Sequence, residues 1–188
     1  FMARFAREPK SRVRRQIVRA LADMGGLELH GFLREAVAKD PSYFVVADAL
    51  KALGRVAKRE AQPDALSALG RESHNDVIRE AAVDVLAGED LVPGEAQAET
   101  LKRLADLFRP GSSPSLRGAV LRALGRAGKG NESAFQLLTK ALDDSNHFVR
   151  AQAIEALGEL GDRRAISILE ARKDKERPVV LRSPLEAI

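Results

Sequence analysis

Residues 149–158 read VRAQAIEALG, and this ten-residue frame decides the fold because it returns along the chain. The same frame reads VVADALKALG at 45–54 and LRGAVLRALG at 116–125. Looser or partial copies start at Val13, Ile78 and Val179. The six starting residues are 32, 33, 38, 33 and 30 residues apart. A period of this length indicates a repeat protein in which each copy is one supersecondary unit.

The frame has the apolar spacing of an amphipathic helix. With its first residue counted as position 0, positions 0, 4, 5, 7 and 8 are apolar in all five complete copies. This spacing places them on one broad stripe that a neighbouring helix can bury. Position 9 is Gly or Ala, which predicts a helix end near a turn. A short polar residue such as Asp40 or Asp144, five residues before the frame, predicts the entry to the helix.

Between the copies lie further segments with apolar stripes of their own. They predict second helices near residues 27–38, 62–72, 95–108, 132–142 and 163–172. Each repeat is then a helical hairpin whose apolar face is buried only by stacking on its neighbours. The predicted fold is all-α, an α-solenoid of about five and a half hairpins in a single domain over residues 1–188. Surface loops are expected at 88–94 and 110–114.

The pattern from Asp144 to Gly158, Asp-x-x-x-x-Val-Arg-x-x-Ala-x-x-Ala-Leu-Gly, resembles the HEAT-repeat family over nearly the whole chain. The resemblance implies that the Asp and Arg of the pattern pair between adjacent repeats. The candidates for this ladder are Asp40, Asp144, Asp174, Arg14, Arg79, Arg117 and Arg150. Val46 replaces the Arg in one repeat and Gly111 replaces the Asp in another, so the ladder is expected to be incomplete.

A narrower resemblance concerns residues 40–50, DPSYFVVADAL. This stretch is similar to the helical C-terminal region of some metallopeptidases of the aminopeptidase N family. The zinc motif of that family, His-Glu-x-x-His, is absent from the sequence, so no catalytic residue is carried over. The resemblance implies a helical accessory domain that shapes access to a cleft or mediates assembly.

The two ends of the sequence predict a piece of a longer protein. Phe1, Met2 and Phe5 are apolar, as expected for the remains of an earlier hairpin. At the other end, Pro184 interrupts the repeat that starts at Val179. Solenoids need polar terminal caps, and neither end carries a clear one.

No pattern in the sequence indicates a catalytic, metal or cofactor site. The chain has no cysteine, and His30, His74 and His147 lie outside metal-ligand spacings. Asp143 and Asp144 are interpreted as turn or cap residues rather than as an acid–base pair. The sequence contains no phosphate-binding loop, nucleophile elbow, signal peptide or long apolar run. We therefore expect a cytoplasmic, non-catalytic protein with no cofactor and no membrane partner.

Positive charge is concentrated at the start of the chain. Residues 1–22 contain seven Lys and Arg against one acid, whereas the chain as a whole has a net charge of +4. Arg12, Arg15 and Arg19 are three and four residues apart, so they share one face of the first repeated helix. Lys51 and Arg122 occupy the same exposed frame position as Arg19, position 6. Together with Arg12, Arg15 and Arg19 they are the candidate interaction surface; a solvated charged face is the alternative.

Three functions fit these observations. The first is a scaffold that binds a protein, a peptide or an adjacent domain of the same chain. The second is a nucleic-acid-binding solenoid, which would use basic residues and aromatics on one face; the chain has no Trp and one Tyr. The third is a HEAT-like lyase that attaches chromophores, which would need a deep pocket. Fold alone does not choose among them.

Overall fold

The computed structural model describes residues 2–87 and 95–172, with side chains from residue 97 onwards in the second range. These residues form α-helices and short turns, with no strand in either range. The all-helical prediction is therefore confirmed. The chain divides into two compact units, residues 1–90 and 91–188, which we describe separately. The single-domain prediction stays a prediction.

The first unit contains six α-helices in its described residues. They are α1 (Met2–Arg7), α2 (Ser11–Met24), α3 (Leu29–Lys39), α4 (Tyr43–Ala57), α5 (Gln62–Ala68) and α6 (Val77–Leu86). Single 3₁₀ turns at Lys58–Ala61 and His74–Asp76 lead into α5 and α6. The repeated frame lies in α2, α4 and α6, as the apolar spacing predicts.

The described part of the second unit repeats this order. Its helices are α7 (Glu95–Ala105), α8 (Pro114–Ala127), α9 (Glu132–Ala141), α10 (His147–Leu160) and α11 (Arg164–Glu170). Here the frame lies in α8 and α10. The sixth copy at Val179 and the predicted loop at 88–94 lie outside the described residues.

Stacked hairpins bury the apolar stripe within each unit. In the first unit, α3 packs on α4, α5 packs on α6, and the frame helices α2, α4 and α6 contact one another in order. Leu50 and Leu53 of α4 are completely buried. In the second unit, α8 packs along α10, with Leu121 and Leu157 at most 1% exposed. The small residues of the frame let these helices approach closely.

The prediction that position 9 ends the helix is wrong for the Gly copies. Gly54 lies inside α4, three residues before its last residue, and Gly125 lies inside α8, two residues before its last residue. A Cβ added at Gly125 would lie 2.8 Å from Cα of Ala156 in α10, and one at Gly54 would lie 2.8 Å from Val85 Cγ2 in α6. These glycines permit close contact between adjacent frame helices. The α10 helix instead ends at Gly161, which has a positive φ of 72°.

Before two of the frames, the short polar residue shapes the turn into the helix. Asp40 accepts a hydrogen bond from the Ser42 N–H at 2.9 Å, and Asp144 accepts one from the Asn146 N–H at 2.8 Å. Each Asp lies three residues before its helix begins. The N-cap positions of α4 and α10 are occupied by Ser42 and Asn146. The Asn146 side chain accepts a hydrogen bond from the Phe148 N–H.

Candidate interaction surface

Arg14 forms a buried ladder contact between the first two repeats. Its Nε and Nη2 donate to the two Asp40 carboxylate oxygens at 2.8 and 2.9 Å. Its Nη1 donates to the main-chain carbonyls of Glu8 and Pro9, each at 3.0 Å. The Asp40 side chain is 3% exposed and that of Arg14 is 11% exposed. The hydrogen bond to Asp40 raises the pKa of Arg14, so the guanidinium stays charged. The pair therefore ties α2 to the turn before α4.

The second unit repeats this arrangement. Arg117 Nη2 lies 3.3 Å from Asp144 Oδ1, with side chains 14% and 8% exposed. Arg150 Nη1 donates to the main-chain carbonyl of Asp144, which corresponds to the bond from Arg14 to Glu8. Asp174, the expected carboxylate partner of Arg150, lies outside the described residues. Arg14, Arg117 and Arg150 thus have equivalent places in the repeat, and they are structural rather than a free basic stripe.

The ladder is interrupted where the sequence departs from the pattern. Val46 stands in place of Arg and is buried, while Ser73 stands in place of the Asp it would meet. Arg79 has Gly111 instead of Asp in the following repeat. Its guanidinium turns to its own repeat, where it lies 3.1 Å from Asp76 Oδ1 and donates to the Leu69 carbonyl.

Two of the four arginines in the predicted interaction surface share one carboxylate. Arg15 Nε lies 2.6 Å from Asp48 Oδ2, and Arg19 Nη2 lies 3.2 Å from Asp48 Oδ1. The Arg15 guanidinium also lies over the Phe44 ring, 5.0 Å from its centroid. Arg12 is exposed and makes no ion pair with any described residue. We call Arg12, Arg15, Arg19, Phe44 and Asp48 the α2/α4 face.

A groove continues from this face between α2, α4 and α6. Its volume is about 670 Å³, and Gly54 and Val85 line it together with Arg19 and Asp48. The remaining charged side chains of the groove are paired. Lys51 lies 2.6 Å from Asp84, and Arg55 lies 3.1 Å from Asp23. Lys51 therefore belongs to an ion pair rather than to an open basic patch.

The equivalent face of the second unit has different chemistry. Phe148 takes the place of Phe44, but Gly118 stands where Arg15 stands, and a Cβ there would lie 2.8 Å from the Phe148 ring. Gln152 stands where Asp48 stands, and Arg122 Nη1 donates to its Oε1 at 2.7 Å. Arg122 and Arg19 are thus equivalent by repeat position, while the first unit places two arginines on one carboxylate and the equivalent position of the second unit holds Gln152.

Sequence reasoning missed Phe44 and Asp48. Both lie on the frame helix, at positions −1 and 3, and the Phe44 and Phe148 side chains are about 40% exposed. The signal was present, because a Phe recurs at position −1 in two of the strictest copies, where the apolar stripe does not require one. The pairing of Asp48 with Arg15 is seen only when adjacent repeats are aligned side by side.

A separate cluster joins α9 to α11 on the surface of the second unit. Arg164 Nη2 lies 2.7 Å from Asp162 and 2.8 Å from Glu132, and its guanidinium lies 4.0 Å from the centroid of the Phe135 ring. Hydrogen bonds from Arg164 lower the pKa of Asp162 and of Glu132, and the two carboxylates raise the pKa of Arg164. The cluster links the two helices through exposed ion pairs.

This cluster predicts a pH dependence of stability. Because the folded-state pKa values of Glu132 and Asp162 lie below their ordinary values of 4.5 and 3.8, the unfolded chain takes up protons first as the pH falls. Their stabilising contribution is complete above those values and is lost as the pH falls through the lowered folded-state pKa. We expect Arg164→Gln to flatten the acid side of a plot of melting temperature against pH. If this variant loses melting temperature at acid pH as steeply as the unmodified chain does, the prediction is wrong. Added salt should also reduce the difference between the two proteins, because exposed ion pairs are screened.

The three histidines have different surroundings. His30 Nδ1 lies 3.6 Å from Glu60, the His74 ring lies 6.4 Å from the Tyr43 ring, and His147 begins α10. No group of metal-binding side chains comes together among the described residues. None of the helices described is both long enough and apolar enough to cross a bilayer.

Comparison with known proteins agrees with the internal repeat. The family model described as HEAT repeats matches residues 1–87 and 101–188. No curated protein matches the chain. The match extends over both units, including the helices that carry the paired Arg and Asp side chains. The chain belongs to the HEAT-repeat family.

Proposed function

We propose that this protein is a non-catalytic scaffold whose helical repeats bind a protein or peptide partner. The observation that carries the proposal is the surface of the frame helices in the first unit. This surface combines a half-exposed phenyl ring, arginines and carboxylates beside a groove of about 670 Å³. Aromatic and arginine side chains are enriched at protein–protein interfaces and supply much of their binding energy.

The distribution of charge favours a protein over a nucleic acid. A protein that tracks a phosphate backbone gains affinity from cations that are free to replace counterions. In the groove, Lys51 and Arg55 each already have a carboxylate partner. The ladder arginines Arg14 and Arg117 are largely buried. A polyanion lying along the frame helices would therefore meet Asp23 and Asp84 as well as cations.

Two finer interpretations remain within this proposal or beside it. The resemblance of residues 40–50 to the helical region of aminopeptidase N-type enzymes would make the partner an adjacent peptidase module. A HEAT-like lyase would need convergent polar groups in a deep pocket; the groove described above is open and its charges are internally paired. We propose binding without catalysis for this chain, and a cytoplasmic location.

The test is recovery of partners on the immobilised chain from lysate of its source, with and without nuclease. We expect a discrete protein to remain bound after nuclease treatment, because the contact does not depend on nucleic acid. The captured protein is identified by mass spectrometry and its binding is repeated with purified components. We expect its affinity to fall by about tenfold or less between low and physiological salt, against the losses of about a thousandfold or more that 6–10 phosphate contacts produce.

An Arg122→Gln variant and an Arg12/Arg15/Arg19→Gln variant locate the contact. Loss in the triple variant alone would place the partner on the first unit. Recovery of nucleic acid only, or of proteins that disappear with nuclease, would reject the scaffold function and favour the nucleic-acid-binding alternative.

A further inference from the structure

We infer that the α2/α4 face is a docking site for an acidic peptide segment that carries an apolar residue next to its carboxylate. This inference rests on the proposed scaffold function and names the surface and the chemistry of the partner. The site consists of the two guanidinium groups of Arg15 and Arg19, the Phe44 ring, and the adjoining groove between α2, α4 and α6.

The arginines retain the capacity to bind an anion. Asp48 carries one negative charge and lies beside two guanidinium groups, so one positive charge is left, and exposed Arg12 adds another. Each guanidinium has five N–H donors. Arg15 uses Nε and Arg19 uses Nη2 for Asp48, which leaves further N–H groups on side chains that are 32% and 47% exposed. A carboxylate can bind these groups with charge-assisted hydrogen bonds.

The side chains are held in place before the partner arrives. Asp48 is only 13% exposed and fixes both arginines, while Phe44 supports the Arg15 guanidinium from one side. Ordering long side chains on binding costs affinity, and a surface that is already ordered avoids much of that cost. Phe44 is 39% exposed, so it offers an apolar contact next to the cations.

The charges of the groove favour a partner whose carboxylates are grouped at one end and whose remaining residues are uncharged. Past Arg19, the cations Lys51 and Arg55 are neutralised by Asp84 and Asp23. The excess positive charge is therefore confined to the Arg12, Arg15 and Arg19 end. A long polyanion would find no excess positive charge further along the groove, whereas a peptide with one or two carboxylates at one end matches a groove that is positive at one end and neutral beyond it.

The second unit provides an internal comparison. Gly118 and Gln152 replace Arg15 and Asp48 at the equivalent positions, and the Phe148 ring packs against Gly118 instead of beneath a guanidinium. Arg122 there donates to a neutral amide. The same repeat geometry thus lacks the pair of arginines, and we expect no acidic-peptide site in the second unit.

The experiment uses an array of short peptides that contain Asp or Glu next to Leu, Ile or Phe, and a matched array with Lys in place of the acids. The full chain is applied to both arrays, and the best binders are measured by fluorescence anisotropy. We expect binding to the acidic array only. The Arg15→Gln/Arg19→Gln variant should weaken the best acidic peptide by about tenfold or more, as expected for loss of charge-assisted hydrogen bonds.

Two further variants separate a loss of peptide binding from a general effect of substitution on the fold. Arg12→Glu changes an exposed side chain that has no described ion pair, so it preserves the fold and should weaken the peptide several-fold through charge alone. Arg126→Gln removes one member of an exposed ion pair with Glu159 in the second unit and should leave binding unchanged. Equal binding to both arrays, or full binding by the Arg15/Arg19 variant, would overturn the inference. A purified partner that still binds this variant would leave the scaffold function standing and would place its contact elsewhere.

Discussion

Asp40→Ala is expected to destabilise the first unit by about 3 kcal/mol, at the low end of the range for breaking a buried ion pair. The substitution leaves the Arg14 guanidinium without its carboxylate in a place where that side chain is 11% exposed. The low end applies because Arg14 keeps the carbonyls of Glu8 and Pro9 as acceptors. The Ser42 N–H also loses its acceptor at the start of α4. Urea unfolding followed by far-ultraviolet circular dichroism measures the change.

Two variants separate this effect from a general response to losing a charge. Asp23→Ala removes the partner of Arg55 from a pair whose side chains are 69% and 58% exposed, so a change below about 1 kcal/mol is expected. Arg14→Met/Asp40→Leu removes both members of the buried pair and should recover much of the lost stability. If Asp40→Ala costs no more than Asp23→Ala, the ladder contact does not stabilise the repeat as we argue.

The sequence predicts the ladder better than it predicts the surface. The helices follow from the apolar spacing, because burial of a periodic stripe depends on residues within one segment. The Arg14–Asp40 contact could be expected from the family pattern, as could its absence at Val46. The α2/α4 face could not, since whether Arg15 stays free depends on Asp48 in the next repeat, a contact across 33 residues. Three arginines on one helix face therefore suggested an open basic patch where the structure has a shared carboxylate.

The role of the glycines also depends on a neighbouring repeat and so could not be predicted from one segment of the sequence. At position 9, the sequence allows both a helix end and a close helix contact, and both satisfy the local preference for a small residue. Only the neighbouring helix distinguishes them. Gly125 lies against the main chain of Ala156, whereas Gly31 in α3 has no atom within 4 Å of an added Cβ. The same residue type is required at one position and replaceable at the other.

Gly125→Ala is accordingly expected to destabilise the second unit by about 1–3 kcal/mol, although alanine favours the helix more than glycine does. The new methyl carbon would lie 2.8 Å from Cα and from the carbonyl oxygen of Ala156, so α8 and α10 must separate. Gly54→Ala meets the Val85 methyl groups at 2.8 and 3.0 Å and should cost less, because a side chain can shift more readily than a backbone. Gly31→Ala should instead raise stability by about 0.5–1 kcal/mol through helix preference.

The three variants are compared by their free energies of unfolding. The substitution is identical each time, so any difference in its effect comes from the neighbouring helix. Urea unfolding of the three proteins should place Gly125→Ala lowest, Gly54→Ala next and Gly31→Ala above the unmodified chain. Stabilisation by all three would mean that the glycines affect only helix preference, and the frame would then not require close contact between adjacent helices. The expected change of sign assigns position 9 to the packing of one repeat on the next, which keeps α4 and α6 close enough for Lys51 to reach Asp84 and α8 and α10 close enough for Arg122 to reach Gln152.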